Sequence, residues 1–376
     1  MIAADRLDRC GGKLLVADAE GGLRRLKRGQ LGDLFAPGDL VVANDAATLP
    51  ASLTGTHVAS GAPIEARLGA WITLGDPTRF IALVFGAGDH RTRTEDRLPP
   101  PLLSAGDELA LGPIEALIER TLDHPRLVAL RFVGRREAIV AGLARHGRPI
   151  QYTHVPQQLA LWDVWTRIAA EPVAFEPPSA GFALDWAMLD RWRRRGVAFA
   201  TVTHAAGLSS TGDAALDRRL PFDEPYRIPE RTAVTIARTK RAGGRVIAIG
   251  TSVVRALEAA VDARGDVRPG HGVASGRITR ETNLRVVDAV LTGVHQPGES
   301  HFELLRAFVD DATLERMSAA FIAGDFLAHE FGDCALVERA GFPSRNEKRR
   351  LLIANGKTGS RSPTEDSAPL QTLSIT

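Results

Sequence analysis

Several short stretches of the chain carry side chains suited to chemistry on a charged, hydroxyl-rich ligand. The sharpest runs from Ile247 to Glu258, where Gly250, Thr251 and Ser252 join an apolar stretch to a helix-forming one. A strand that turns through Gly-Thr-Ser directly into a helix leaves unpaired amides and hydroxyls at a helix N-terminus, where partial positive charge collects. Such a corner suits a phosphate, a carboxylate or a ribose oxygen, although Thr and Ser also serve as ordinary helix caps. Arg255 and Glu258 stand three apart on one helix face, so a mutual ion pair is an alternative use for both.

Three further stretches have the same character. In Glu176–Leu184 the small residues Ser179, Ala180 and Gly181 let backbone approach a ligand, or simply form a rigid Pro-Pro linker. His204 follows the apolar run from Val197 and opens a loop rich in Gly, Ser and Thr, a place for an acid-base or hydrogen-bonding group. Thr292, His295 and Ser300 lie in a loop that ends at Ser300-His301-Phe302-Glu303, read as a capping box. No further ligand at a recognisable spacing follows the two His and one Glu of that loop, so no metal is expected.

The elements that must hold these groups can be read from periodicity. Lys13 to Ala17 and Leu23 to Lys27 read as strands about a Gly-Gly turn. Leu40 to Ala43 is a continuous apolar run that suits a strand buried on both faces, ending at Asn44 and Asp45. Polar residues at the carboxyl end of a central strand are where open α/β sheets place ligand groups, and an Asx turn is the competing account. From Ala62 to Val133 short apolar stretches alternate with turn residues, which predicts an all-β module of segments 64–68, 71–74, 80–85, 108–111, 114–122 and 127–133. A helix closed by Gly147 follows. Beyond Gln151 the spacing predicts a helix over 157–170 stopped by Pro172, and a helix capped by Asp185 and ended by Gly196. A strand from Val197, a helix over 229–241, a strand over 245–249 and a helix from Val253 complete a parallel α/β pattern. Residues 343–376 have the composition of a disordered tail.

Composition bounds the function classes. With 376 residues, 44% hydrophobic and 24% charged, the chain is a folded globular one of more than one domain. Lys occurs only at positions 13, 27, 240, 348 and 357, so Arg carries nearly all the positive charge. A net charge of +2 excludes a dedicated, strongly basic nucleic-acid binder and leaves room for a local basic patch. Cys10 and Cys334 lie far apart and give neither a zinc spacing nor a disulfide framework. With no signal-like or membrane-spanning apolar run, a soluble cytoplasmic protein is expected.

Taken in order, these segments resemble the S-adenosylmethionine:tRNA ribosyltransferase-isomerase (QueA) family of queuosine biosynthesis, as a divergent member. Residues 38–45 with 49–55 resemble its "GDLLVVNDTRVIPARLFG" block, and 178–181 the start of "PTAGLHF". His204 falls on the His of "LHVGAGTF" and Glu224 on the Glu of "MHSE". Gly250, Thr251, Arg255 and Glu258 match "VGTTSVRTLES". Asp288, Thr292, His295 and Ser300 match "VVDALITNFHLPKST", and Gly332-Asp333 the "GDAM" block. Ser52, Ala183, Phe222 and Gly293 depart from those patterns, replacing an Arg, two His and an Asn.

The resemblance implies a barrel-like α/β domain with an inserted smaller all-β (β-barrel) domain. The expected division is 1–61 with 148–342, interrupted by 62–147. It implies ribosyl transfer from S-adenosylmethionine, as substrate and without metal, to a deazaguanine base of tRNA. A transient tRNA partner and a monomer or weak homo-oligomer go with it. His204, Glu224, Asp288 and Asp333 are the implied catalytic groups. Asn44, Asp45, Ser179, Ala180, Gly181, Gly250, Thr251, Ser252, Arg255, Glu258, Thr292, His295 and Ser300 are the implied substrate-binding set. A divergent paralogue with another nucleoside or acceptor, and a non-catalytic nucleotide- or RNA-binding protein, are the alternatives.

Overall fold

A computed structural model describes residues 1–4 and 11–341. It is a mixed α/β protein built around a nine-stranded sheet and a closed six-stranded antiparallel barrel. The expected tail at 343–376 lies outside the described residues. No helix among them is long and apolar enough to cross a membrane.

The large sheet runs from the edge strand Gly270–Ala274 through Glu224–Ile228, Ala198–His204, Leu40–Asn44, Val246–Ile249, Ala289–Gly293, Cys334–Glu338 and Lys13–Ala17 to Leu23–Lys27 at the other edge. Its centre is parallel: Leu40–Asn44 pairs with Ala198–His204 on one side and Val246–Ile249 on the other, and the latter pairs with Ala289–Gly293. Every residue of Leu40–Asn44 is buried, as its unbroken apolar run requires of a strand covered on both faces. One core lies on the face covered by the helices Glu230–Arg241, Thr251–Ala259 and Asp311–Ala323, with Leu40, Val42, Ile236 and Val253. The other holds Val41, Ala43, Ile249 and Trp192 beneath Trp186–Arg194. That helix starts where Asp185 accepts the Met188 amide at 2.6 Å and ends at Gly196, whose φ of 75° suits a residue with no Cβ.

The barrel closes in the order Ile114–Leu122, His124–Val133, Arg79–Phe85, Ala62–Trp71, Ser52–His57 and Glu108–Leu111. Residues 114–122 form a strand as expected: Ile114, Ala116 and Ile118 are buried while Glu115 is exposed. Two expectations need correction here. The barrel takes its first strand from Ser52–His57, ahead of the expected boundary at 62, because Ser52–His57 pairs with both Ala62–Trp71 and Glu108–Leu111. Residues 71–74 are no separate strand: Trp71 ends the Ala62–Trp71 strand and a turn follows. The barrel core continues into the large unit through Trp71, Phe80 and Phe175, whose rings lie 4.7–6.0 Å apart, and Trp71 Nε1 donates to the Val173 carbonyl at 2.7 Å.

Other local expectations also change. The predicted 157–170 helix reduces to Leu161–Val164. The Gln151 side chain binds the backbone of Val155, Gln157 and Leu159, and Trp165 Nε1 donates to the Thr48 carbonyl, so tertiary bonds replace helical ones. Pro172 then sits inside the two-stranded pairing of Glu171–Ala174 with Ala46–Thr48. The capping box at Ser300 is not formed: the helix is Ser300–Leu305, Glu299 occupies the cap position, and Glu303 pairs with Arg306. Gly147 has φ −66°, so it is no left-handed terminator. A Cβ there would lie 2.3 Å from the Pro50 carbonyl, and close packing is its reason. The helix Asp311–Ala323, capped by Asp310 on the Thr313 amide, had no counterpart in the sequence reading.

Candidate active site

The parallel centre of the sheet brings the carboxyl ends of four strands to one edge, and a cleft opens there. Gly250 joins Val246–Ile249 to the helix Thr251–Ala259 at φ 102°, a conformation that L side chains rarely adopt, and its amide donates to the Leu291 carbonyl at 2.8 Å. Thr251 and Ser252 therefore stand at a helix N-terminus that borders the cleft. Ser179 and Ala180 also line the cleft, with Ala180 close against Gly250, as do Thr292, His295 and Ser300. The structure thus brings together Ser179, Ala180, Glu224, Gly250, Thr251, Ser252, Arg255, Thr292, His295 and Ser300 out of the expected set.

Glu224 and Arg255 form the charged centre, with Oε2 of Glu224 3.2 Å from Nε of Arg255 and both side chains less than a tenth exposed. Arg255 also donates to the carbonyls of Ala274 at 2.7 Å, Gly276 at 3.0 Å and Phe222 at 3.3 Å. The suggested Arg255–Glu258 pair is not made. Glu258 instead accepts the amides of Arg285, Val286 and Val287 at 2.8–3.0 Å, away from the cleft. Burial raises the Glu224 carboxyl above its usual range, opposed by Arg255 and the Gly207 amide, which donates to it at 2.7 Å.

His204 lies beneath this pair, not in the cleft. It is fully buried, Nε2 is 3.4 Å from Glu224, and neither ring nitrogen makes a hydrogen bond. Burial and the Arg255 charge push its pKa down to about 3, so the imidazole is neutral at physiological pH. A buried carboxyl that sequence reasoning had not singled out stands in the cleft itself. Glu176 borders the cleft and is held by the Tyr152 hydroxyl and by Ser209. Burial raises its pKa to about 7, against the Ser209 and Tyr152 hydrogen bonds. A carboxyl poised near neutrality in a cleft is suited to proton transfer. Its sequence signal was present but slight, a Glu heading a Pro-Pro-Ser loop.

Also lining the cleft, His295 has its Nε2 2.8 Å from Thr292 Oγ1, its Nδ1 3.4 Å from Glu299, and its ring 4.8 Å from that of His301. Burial, with the neighbouring His295, pushes His301 down to about 3. Arg277 completes the cleft with a second positive charge.

The remaining expected residues stand outside the cleft lining. Asn44 Nδ2 donates to the His204 carbonyl and its Oδ1 accepts the amides of His204 and Ala46, which locks two strand ends together and forms the Asx turn. Asp45 accepts from Thr203 Oγ1 at 2.7 Å. Gly181 packs against Thr166, where a Cβ would meet Cγ2 at 3.0 Å. Asp288 accepts from the Val246 amide and from Arg339. Asp333 accepts the amides of Lys13 and Leu327 at 2.7 and 2.8 Å. Short acidic and amide side chains beside strand ends satisfy orphan backbone donors, as Asn44, Asp288 and Asp333 do here, while Asp45 accepts from a side-chain hydroxyl and Asn44 also reaches Ser252 Oγ at 3.4 Å.

Residues 2–337 match the family model described as "Queuosine biosynthesis protein". The S-adenosylmethionine:tRNA ribosyltransferase-isomerase of Acidiphilium cryptum is 33% identical over 322 residues, 82% of this chain and 87% of that protein. That of Citrifermentans bemidjiense is 32% identical over 310 residues, covering 81% and 85%. A solved S-adenosylmethionine tRNA ribosyltransferase of Thermotoga maritima aligns at 19% identity with a TM-score of 0.46, over 89% of this chain and 95% of that one. The family match runs through both the barrel and the nine-stranded sheet, and the chain belongs to the queuosine biosynthesis protein family.

Proposed function

We propose that this chain transfers and isomerises the ribosyl unit of S-adenosylmethionine onto the deazaguanine base of a tRNA anticodon, giving epoxyqueuosine with loss of adenine and methionine. The observation that carries this reading is the cleft itself, where a helix N-terminus, Arg255 with Glu224, and Glu176 converge at the carboxyl ends of parallel strands. Thr251, Ser252 and the helix amides suit ribose or carboxylate oxygens.

The reaction asks for two proton movements. The sulfonium acidifies the adjacent ribose carbon, so a base must take a proton there, and departing adenine must be protonated or stabilised as an anion. Glu176, titrating near neutrality, is suited to exchange either proton. Glu224 with Arg255 orients hydroxyl or ammonium groups. His204 acts from behind Glu224 as a neutral positioning group. A tRNA acceptor supports a cytoplasmic setting for the activity.

The deciding assay incubates the full chain with S-adenosylmethionine, with and without tRNA carrying the aminomethyl-deazaguanine base. Adenine is followed by chromatography and the tRNA by mass spectrometry. We expect adenine release that depends on tRNA, with a matching mass gain on the base. Adenine release indifferent to tRNA identifies another acceptor, and binding of S-adenosylmethionine with no adenine release in either arm makes the chain a binding protein.

A further inference from the structure

A second group of chemically able side chains lies outside the parts assigned above. His154, His329 and Glu330 place one nitrogen or oxygen each within 4.8 Å of one another, the one such His/Cys/Asp/Glu group among the described residues. His154 Nε2 is 2.8 Å from Glu330 Oε2, and the rings of His154 and His329 face each other at 4.5 Å. We propose that His154, His329 and Glu330 form a binding site for a divalent first-row transition ion, with zinc as the best-suited member.

The donor set is two imidazoles and a carboxylate, which suits borderline ions of this class better than calcium or magnesium, whose sites are built from oxygen. Three protein ligands leave coordination positions for water or an anionic ligand. The sequence spacing did not reveal the group, because His154 is separated from the other two by most of the large sheet, and only folding joins them.

Both halves of the group are braced, which a surface coincidence does not require. Val155 and Phe331, the chain neighbours of His154 and Glu330, belong to one small core with Leu159, Val164 and Phe182, and the Phe182 and Phe331 rings stack at 5.6 Å. The side chain of Gln151, which precedes His154, ties down the loop that follows it through Val155, Gln157 and Leu159. On the other half, Asp333 accepts the Leu327 amide and its own amide donates to the Leu327 carbonyl, closing a tight turn around His329 and Glu330. Gly332 permits that turn, since a Cβ would stand 2.4 Å from the Leu327 carbonyl. His329 takes φ 67°, an uncommon conformation for a residue with a side chain, and this directs its ring toward His154. Ligands held in place before the ion arrives lose little freedom on binding.

The test uses the full chain with any affinity tag removed, titrated with zinc by calorimetry at pH 7.5, beside His329→Ala and Glu330→Gln. His329 and Glu330 are outside the hydrophobic cores, so both variants are expected to fold, and circular dichroism checks this. We expect one equivalent of zinc in the parent chain and affinity weakened at least about 100-fold in His329→Ala. Cobalt substitution gives an independent reading, as visible d–d absorption in the parent chain that disappears in the variant. Zinc uptake that is equal in parent and variant, or absent in both, overturns the proposal and leaves His154 and Glu330 as a simple ion pair. The readout is independent of the ribosyl-transfer reading, since neither binding nor the cobalt spectrum requires turnover.

Discussion

Glu176 gives the most exacting test of the site's electrostatics. Its carboxyl borders the cleft yet is buried, and the pKa rises to about 7 from an ordinary 4.5 because burial penalises the charged form more than Tyr152 and Ser209 stabilise it. The folded state therefore keeps a proton that the unfolded chain gives up. Stability from this group is fully present below about pH 4.5 and is lost as pH rises through about 7, with a total change of about 3 kcal/mol. Glu176→Gln keeps the shape and cannot ionise. Urea unfolding of parent and variant at pH 5.5 and pH 8.5 isolates the effect, because every other titrating group is common to both. Between those two conditions the variant should gain about 2 kcal/mol relative to the parent. A parent-minus-variant difference that stays constant across that range refutes the argument, and Glu176 would then be an ordinary ionised carboxylate. The same substitution should flatten the limb near neutrality in the pH profile of kcat/KM for adenine release.

Three further outcomes follow from the geometry. Arg255→Met strips Glu224 of its ion pair and three carbonyls of their donor, so it should destabilise the chain by about 3–5 kcal/mol in urea unfolding and weaken S-adenosylmethionine binding in calorimetry, and unaltered affinity would confine Arg255 to a structural role. His204 folds neutral with its pKa near 3, so its stability contribution is present above about pH 6.5 and is lost as pH falls, and His204→Leu should gain about 2 kcal/mol on the parent between pH 7.5 and pH 5, while a flat difference in urea unfolding contradicts the burial argument. Asp333→Asn weakens two buried amide contacts and should cost about 1–3 kcal/mol of stability with unchanged ligand affinity, whereas a tenfold loss of affinity would return Asp333 to the site.

Much of the protein was legible from local pattern alone. The doubly buried Leu40–Asn44 strand, the Asp185-capped helix ended by Gly196, the alternating barrel strands and the Gly250 corner each follow from a period or a cap that a few neighbouring residues set. The order of motifs was enough to indicate the family. Where local preference met a tertiary bond, the tertiary bond won: Gln151 and Trp165 reduce the helix expected over 157–170 to Leu161–Val164, and strand pairing draws Ser52–His57 into the barrel. The site divides along the same line. Thr251, Ser252 and Arg255 were visible because they share one turn, and Arg255 finds its partner in Glu224, brought in by a different strand. Asn44, Glu258, Asp288 and Asp333 looked like chemistry in one dimension, and only the fold reveals that each accepts backbone amides, with Asn44 also reaching Ser252 and Asp288 also pairing with Arg339. Residue type thus determined which groups could act, while burial and partner, properties that exist only after folding, decided the state each is held in: Glu176 holds a proton near neutrality, His204 stays uncharged, and His154 meets His329 and Glu330 across 175 residues of chain.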